Sequence, residues 1–228
     1  MAIFYDLNKL PQFNKPVLTI GSFDGVHHGH KAILNKVASR AKAIGGESIL
    51  ITFDPHPRKL LFPDHPIKLL TPLDKKLQLI TGTGITHIVV VPFTKEFSNL
   101  SASDYITQFL VARFHPHTII IGYDHRFGKD RQGGLAELQQ LGPVYDYDVV
   151  EIPEQDIHDV AISSTRIRNA LLVGDIDLAN EFLGYPFFIT GKVNRGDQIG
   201  RTIGYPTANI LVEENYKLIP SDGIYAVK

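Results

Sequence analysis

Residues 16–30 read PVLTIGSFDGVHHGH, and this stretch decides both the fold and where a site should lie. Its first five residues form an apolar run typical of a buried strand, and apolar residues recur at helical spacing over residues 33–41. A glycine-bearing turn between a strand and a helix directs backbone N–H groups and the helix dipole toward an anion. His27 and His30 lie in that turn, where imidazole can donate to a phosphate oxygen and Gly29 lets the backbone approach closely. The stretch therefore predicts a phosphate-binding site.

The composition excludes several classes of function. The 228 residues, of which 43% are hydrophobic, suit one large domain or one domain with a smaller piece. The 23 Lys and Arg residues against 24 Asp and Glu argue against a nucleic-acid binder with a basic surface. Because the sequence contains no Cys, disulfides, thiolate zinc sites and thiol catalysis are excluded. With no apolar run near the ~20 residues of a spanning helix and no signal-peptide pattern, we expect a cytoplasmic protein that binds neither nucleic acid nor a membrane. The sequence does not indicate an oligomeric state.

Up to about residue 183, short β-branched runs alternate with amphipathic segments. Strands are expected at residues 17–23, 48–53, 87–93, 118–123 and 147–153. Helices are expected at about 30–44, 72–82, 101–114, 133–141, 164–173 and 175–183, the last ending at Gly184. This alternation predicts an α/β fold with a doubly wound, Rossmann-like parallel sheet, and ligands are expected beyond the carboxyl ends of its strands.

The pattern changes after residue 183. Residues 187–193, 202–211 and 223–228 are expected to be strands, and turn sequences separate them. The sequence therefore predicts a domain of residues 1–183 followed by an all-β segment of residues 184–228.

Polar segments follow several strands of the first domain and should meet at one edge of the sheet. They are residues 21–30, 52–57, 122–128 and 162–168. In the last of them Ser163 or Ser164 suits a helix N-cap, and Thr165 and Arg168 are spaced to share one helix face. A helix N-terminus with hydroxyls and an arginine is a second anion site. Two phosphate sites on one sheet edge suit a nucleoside triphosphate.

Taken together, five segments resemble the bacterial bifunctional riboflavin kinase/FMN adenylyltransferase family, also called FAD synthetase. In order they are GSFDGVHHGH (21–30), TFDPHP (52–57), IGYDHRFG (121–128), ISSTRIRNALLVGD (162–175) and GRTIGYPTAN (200–209). The His-x-Gly-His motif and the Ser/Thr-x-x-Arg pair mark only the wider nucleotidyltransferase superfamily, whereas the five in order are specific. The resemblance implies that residues 1–183 form a nucleotidyltransferase domain that uses Mg2+ and transfers AMP from ATP to FMN, giving FAD and pyrophosphate.

The resemblance also implies roles for individual residues of this domain. It implies catalytic roles for His27, His30 and Arg168; ATP binding by Gly21, Ser22, Phe23, Asp24, Gly29, Asp124, Ser164 and Thr165; and flavin binding by Asp54, Pro55, His56, Pro57, Arg126 and Phe127. The attacking phosphate monoester, with a second pKa near ~6, is largely ionised at pH 7 and needs no general base. The site must instead align the groups at the α-phosphorus and neutralise charge on the oxygens. We therefore expect the two histidines to act electrostatically, neither as base nor as metal ligands.

Residues 184–228 resemble the beginning of the riboflavin kinase β-barrel. The resemblance implies that Gly191, Lys192 and Gly200 bind ATP, and that Thr207 and Asn209 offer oxygens to Mg2+. In the family, the catalytic carboxylate and most of the barrel lie beyond position 228. Because an incomplete barrel cannot close, we expect no phosphorylation of riboflavin to FMN by this chain.

Simpler interpretations of the same residues stay open. The histidines of the first motif also fit unliganded loop residues, or zinc ligation together with His28 or His125. Ser164 and Thr165 also fit plain helix caps, and residues 54–57 a rigid turn. Alternative functions are a nucleotidyltransferase acting on another phosphorylated metabolite and a non-catalytic flavin or nucleotide sensor.

Overall fold

The computed structural model describes residues 1–153, 162–196, 202, 204–205 and 207–227. Within them, six strands form one sheet: β1 (Ala2–Phe4), β2 (Val17–Ile20), β3 (Ser48–Asp54), β4 (His87–Pro92), β5 (Thr118–Gly122) and β6 (Asp148–Ile152). The order is β1-β4-β3-β2-β5-β6, and every pairing is parallel. Outside this sheet, β7 (Lys192–Asn194) and β8 (Asn209–Leu211) form an antiparallel pair.

Helices cover both faces of the parallel sheet. In the described residues they are α1 (His28–Ala43), α2 (Pro57–Leu61), α3 (Leu73–Ile80), α4 (Lys95–Ser98), α5 (Ala102–Asp104), α6 (Ala112–Phe114), α7 (Leu135–Tyr145), α8 (Ser164–Leu172) and α9 (Ile176–Leu183). A π-helical segment, Tyr105–Val111, joins α5 to α6, and 3-10 turns span Leu7–Lys9 and Lys129–Arg131. None of the helices in the described part of the chain has the length and apolar character needed to cross a membrane. The predicted doubly wound α/β fold is confirmed.

The core follows from the alternation of side chains along the strands. Val17 and Leu50 point to the face covered by α1 and α3, whereas Leu18 and Ile51 point to the face covered by the π-helical segment and α7. Runs such as 88–91, buried at every position, confirm that central strands are covered on both sides. Each fully buried aliphatic side chain of this kind stabilises the fold by roughly 1.5–3 kcal/mol.

The strand order reverses direction between β2 and β5. β2 pairs with β3 on one side and with β5 on the other. In open α/β sheets, ligands bind beyond the carboxyl ends of the strands at such a reversal. The loops that follow β2 and β5 are the predicted segments 21–30 and 122–128, so the topology brings both to that crevice.

Several expected boundaries are wrong. The first strand of the chain, β1, has only three residues and was not expected. β2 ends at Ile20 and does not extend to Phe23, whose positive φ of 48° is incompatible with a strand. The helix expected at 101–114 is present over residues 102–114, and only its middle part, Tyr105–Val111, is π-helical.

The C-terminal strands are mostly wrong as well. Residues 187–191 are irregular, since the Phe187 N–H donates to the side chain of Asn180 (2.6 Å) instead of to a neighbouring strand. Of the described residues in 202–211, only Asn209–Leu211 are in a strand, and residues 223–227 are irregular. A strand pattern requires a partner strand, and these residues have none within the described part of the chain.

Candidate active site

The two histidines of the first motif lie together at the start of α1. His27 is the N-cap, and its Nδ1 accepts a hydrogen bond from the His30 N–H (3.4 Å). The two rings stack with centroids 3.6 Å apart, and the Phe23 ring lies 4.8 Å from that of His30. Val26, a β-branched residue, takes a positive φ of 39°, a strained conformation typical of functional loops. The loop therefore holds both imidazoles at the positive end of a 16-residue helix.

Asp24 belongs to this loop, and its buried side chain forms hydrogen bonds and an ion pair with residues elsewhere in the protein. Its carboxylate accepts hydrogen bonds from the N–H groups of Leu70 and Thr71, each at 3.0 Å, and from the Thr71 hydroxyl at 3.3 Å. It also forms an ion pair with Arg168, and only 3% of its side chain is exposed. The side chain thus joins the β2 loop to residues 70–71 and to Arg168. Because the carboxylate is occupied by these partners, the predicted contact of Asp24 with a nucleotide would be made by its backbone.

The start of α8 is fastened to the same loop. Ser163 is the N-cap and accepts from the Arg166 N–H (3.3 Å), whereas the Ser164 hydroxyl donates to the Asp24 carbonyl oxygen (2.9 Å). The Arg168 Nε donates to the Lys68 carbonyl oxygen (2.9 Å). Burial lowers the pKa of Arg168, and the Asp24 charge opposes that shift. The helix that carries Arg168 and the exposed Thr165 therefore starts beside the histidine loop.

Lys76 is a site residue that the sequence analysis did not single out. It is buried in α3, and its Nζ donates to the Ser22 carbonyl oxygen (3.1 Å) and to the Thr52 hydroxyl (2.9 Å). Burial lowers the pKa of Lys76 to about 8, against the opposing effect of Asp24. The sequence did contain a signal that Lys76 is buried: it lies on the apolar face of the predicted helix, one turn from Leu73 and from Ile80. Its ammonium group adds positive charge directly behind the β2 loop.

The segment after β3 forms a capped turn. The Asp54–Pro55 peptide bond is cis, and Pro57 is the first residue of α2. His56 caps this helix, its Nδ1 accepting from the Arg58 N–H (3.2 Å). Burial lowers the pKa of His56 to about 4, so its imidazole is neutral at pH 7. The structural role of these residues is clear, and their predicted contact with a flavin stays a prediction.

The segment after β5, residues 122–128, has some side chains at the surface and others in the core. Asp124 and Arg126 are exposed, and Arg126 donates to the His125 carbonyl oxygen (3.0 Å). Phe127 is buried and stacks on Tyr105 with centroids 4.8 Å apart, so its ring belongs to the core. Burial lowers the pKa of His125 to about 4, and its Nε2 has no hydrogen-bond partner among the described residues.

The predicted kinase residues lie on the β7–β8 pair or beside it. Lys192 forms an exposed ion pair with Glu213 (2.7 Å), and a Cβ at Gly191 would lie 2.4 Å from the Leu211 carbonyl oxygen, so this position needs a glycine. Thr207 and Asn209 are exposed. Gly200 lies outside the described residues. Among the residues that the structure describes, no three His, Cys, Asp or Glu side chains are grouped to hold a metal ion.

Comparison with protein families decides the relationship. The FAD synthetase family model matches residues 10–166. The chain belongs to the FAD synthetase family. A second family model, riboflavin kinase, matches residues 183–228 of the chain.

Similar proteins carry names that agree with both matches. The bifunctional riboflavin kinase/FMN adenylyltransferase of Listeria monocytogenes is 39% identical over 98% of this chain and 68% of its own length. The proteins of the same name from Buchnera aphidicola of Acyrthosiphon pisum and from Escherichia coli K12 are 37% and 36% identical, over 72% and 71% of their lengths. The chain therefore spans roughly seven tenths of the length of these relatives.

A solved structure shares the whole arrangement. The crystal structure of a macrolide-efflux protein from Streptococcus pneumoniae matches 97% of this chain and 71% of that chain, with 28% identity and a TM-score of 0.83. The likeness supports the α/β fold of the chain.

Proposed function

We propose that this protein transfers AMP from ATP to FMN, giving FAD and pyrophosphate. The observation that carries the proposal is the Asp24–Arg168 ion pair. Asp24 precedes His27 by three residues, so the pair brings the arginine of α8 to the loop that holds the stacked histidines. The histidines of the β2 loop and Arg168 of α8, which are far apart in sequence, thus lie next to each other at the point where the strand order reverses.

The chemistry of the transfer fits the groups present. An oxygen of the FMN phosphate attacks the α-phosphorus of ATP, and the bond from that phosphorus to the bridging oxygen breaks as pyrophosphate leaves. Because the nucleophile is already ionised, no proton has to be removed. The imidazoles at the N-terminus of α1 and the guanidinium of Arg168 bind the phosphate oxygens and stabilise the charge that moves to the leaving group.

Buried charge around the site is positive overall. Lys76, Arg168 and Lys217 each interact electrostatically with Asp24. Asp24 is the buried carboxylate that faces these cations, while Asp54 near Lys76 and Glu214 near Lys217 are more exposed, so the surplus of buried positive charge attracts an anionic substrate. This supports a polyphosphate ligand over a neutral one.

We infer that Mg2+ enters together with ATP. The described residues offer no group of three His, Cys, Asp or Glu ligands, whereas Mg2+ commonly uses substrate phosphates and water with one or two carboxylates. No step of the transfer is assigned to the metal.

We propose that residues 184–228 form part of a riboflavin kinase domain. The riboflavin kinase match to residues 183–228 supports this. The expectation that this chain does not phosphorylate riboflavin stays a prediction. ATP binding by Gly191, Lys192 and Gly200, and Mg2+ binding by Thr207 and Asn209, stay predictions, as do the division into residues 1–183 and 184–228 and the cytoplasmic location.

Incubation of the purified protein with FMN, ATP and Mg2+ tests the proposal, with FAD measured by chromatography and pyrophosphate by a coupled assay. We expect both products in equal amounts. No FAD at an enzyme concentration equal to that of FMN would reject adenylyl transfer to FMN. Arms with CTP and with other phosphate monoesters test the alternative acceptor, which the family membership does not favour. An arm with riboflavin in place of FMN reports on the kinase step separately.

A further inference from the structure

A short C-terminal segment, residues 216–218, pairs with the chain directly before Thr71. The Leu69 N–H donates to the Tyr216 carbonyl oxygen (2.7 Å), and the Leu218 N–H donates to the Leu69 carbonyl oxygen (2.8 Å). Leu218 is buried among apolar side chains of α8 and α9. The segment lies within the part of the chain that matches riboflavin kinase, yet it packs against the FAD synthetase part.

Lys217, at the centre of this segment, is a buried cation. Only 2% of it is exposed, and its Nζ donates to the Leu70 carbonyl oxygen. The ammonium group lies over the Phe187 ring, 3.9 Å from the centroid. The carbonyl and the ring replace only part of the hydration that an ammonium group loses on burial. Burial accordingly lowers the pKa of Lys217 to about 8. A well-packed apolar side chain would avoid this penalty, so packing alone does not account for a lysine here.

The partner of Lys217 leads directly to the candidate active site. The Leu70 N–H donates to both oxygens of Asp24, at 3.0 and 3.1 Å. Asp24 in turn holds the guanidinium of Arg168. Lys217 and Arg168 are thus joined through one residue of backbone and one carboxylate.

We propose that Lys217 is a positioning residue for adenylyl transfer. Its ammonium group fixes the backbone at Leu70, that backbone orients Asp24, and Asp24 orients Arg168 toward the phosphates. The inference rests on the proposed function and adds that the C-terminal part of the chain completes the FAD synthetase site.

Kinetics of two matched variants distinguish this role from packing. Lys217→Met removes the charge and the donors but keeps an unbranched stem. Lys36→Met is the control, because Lys36 is an exposed lysine of α1 outside the contacts that join the segment to Arg168. We expect Lys217→Met to lower kcat for FAD formation by about tenfold while KM for ATP stays within about threefold. Lys36→Met should stay within about twofold of the wild type in both kcat and KM for ATP.

A double-mutant cycle tests the route through Arg168. If Lys217 acts by orienting that guanidinium, Lys217→Met should lower kcat by less than about twofold in an Arg168→Gln background. Equal effects of Lys217→Met in both backgrounds would overturn the proposal, as would a folded Lys217→Met protein with the kcat of the wild type. Lys217→Arg, which keeps a long cation, should retain at least about a third of the wild-type kcat.

The remaining outcomes are also decisive. Circular dichroism and the melting temperature establish whether each variant is folded at the assay temperature. Should Lys217→Met not fold, Lys217→Arg carries the test: a folded Lys217→Arg protein that has lost tenfold or more in kcat would overturn the proposal. If the wild-type protein makes no FAD, the proposed function itself is rejected. If the wild type makes FAD and only the expected effects of the Lys217 variants fail, the role of Lys217 alone is rejected.

Discussion

Asp24 and Arg168, which are 144 residues apart in sequence, form an ion pair that is largely shielded from water. The exposed fractions of their side chains are 3% and 11%. The pair joins the loop after β2 to α8, so an arginine that would otherwise sample many rotamers is held in one orientation. A guanidinium fixed in this way loses little entropy when a phosphate binds.

Asp24→Asn should weaken both stability and turnover. The amide keeps the shape of the carboxylate but leaves the Arg168 cation buried without an opposite charge. We expect the free energy of unfolding to fall by about 3 kcal/mol, measured by urea denaturation followed by circular dichroism. The turnover number for FAD formation should fall with it, because the guanidinium is no longer oriented.

Asp148→Asn is the control for this change, since Asp148 pairs with Arg40 at the surface, with 66% of its side chain exposed. An exposed pair contributes at most about 1 kcal/mol, so this variant should resemble the wild type. Equal stability of the two variants would show that the buried pair does not hold the loop.

His30→Ala should abolish most of the turnover while sparing affinity. The imidazole stacks on His27 at the N-terminus of α1, where it can stabilise charge that develops as pyrophosphate leaves. Removing one such group commonly lowers kcat by about 10²–10³-fold. Chromatographic measurement of FAD gives kcat, and isothermal titration calorimetry gives the dissociation constant of ATP.

Exposed His65 provides the comparison, and His65→Ala should leave both quantities unchanged. A His30→Ala protein that binds ATP more weakly but retains its turnover would contradict an electrostatic role in the transition state. Wild-type protein that binds FMN and ATP without turnover would instead favour the sensor hypothesis.

Local pattern was enough for most of the parallel sheet. Three apolar runs rich in β-branched residues are typical of strands buried on both faces of a parallel sheet, and they are residues 48–54, 87–92 and 118–122. β1 could not be predicted, because three residues are too few to show the alternation of apolar and polar side chains that is typical of a strand. Its residues form a strand only through their pairing with β4. The strands expected after residue 186 failed for the related reason that their pairing depends on contacts that sequence does not display.

The site was predictable in its motifs but not in its connections. Residues 21–30 and 162–168 were expected at the edge of one sheet, and the structure fastens them to each other through Asp24 and Arg168. The partner of Asp24 could not be predicted, because a carboxylate in a glycine-rich loop looks equally suited to a ligand. Lys217 reaches Leu70 across 147 residues, a contact that no local pattern encodes.

Lys76→Met should remove a pH dependence of stability. The pKa of Lys76 is about 8 in the folded protein, against 10.5 for an ordinary lysine. Between these values the unfolded chain binds more protons, so the free energy of unfolding of the wild type rises with pH. Between pH 7 and 9.5 we expect the wild type to gain about 2 kcal/mol relative to Lys76→Met. Urea denaturation at the two pH values measures this gain.

Lys217 has a similarly lowered pKa of about 8 in the wild type and in Lys76→Met. Its contribution to the pH dependence of stability therefore cancels when the two proteins are compared. The exposed Lys36 supplies a matched variant, Lys36→Met, which should follow the wild type at both pH values. Parallel stability curves for wild type and Lys76→Met would mean that Lys76 is not buried as a cation behind Ser22.

His125→Phe should make the protein more resistant to acid. The buried imidazole of His125 has a pKa of about 4, and its Nε2 has no partner among the described residues. Below pH 6.5 the unfolded chain takes up a proton that the folded protein does not, so the wild type loses stability as the pH falls toward 4. Phe has no such proton, and at pH 4.5 the variant should be more stable than the wild type by about 2 kcal/mol beyond any difference at pH 7.5. Thermal denaturation at both pH values, with His65→Phe as the exposed control, decides it: a difference independent of pH would place His125 in contact with water.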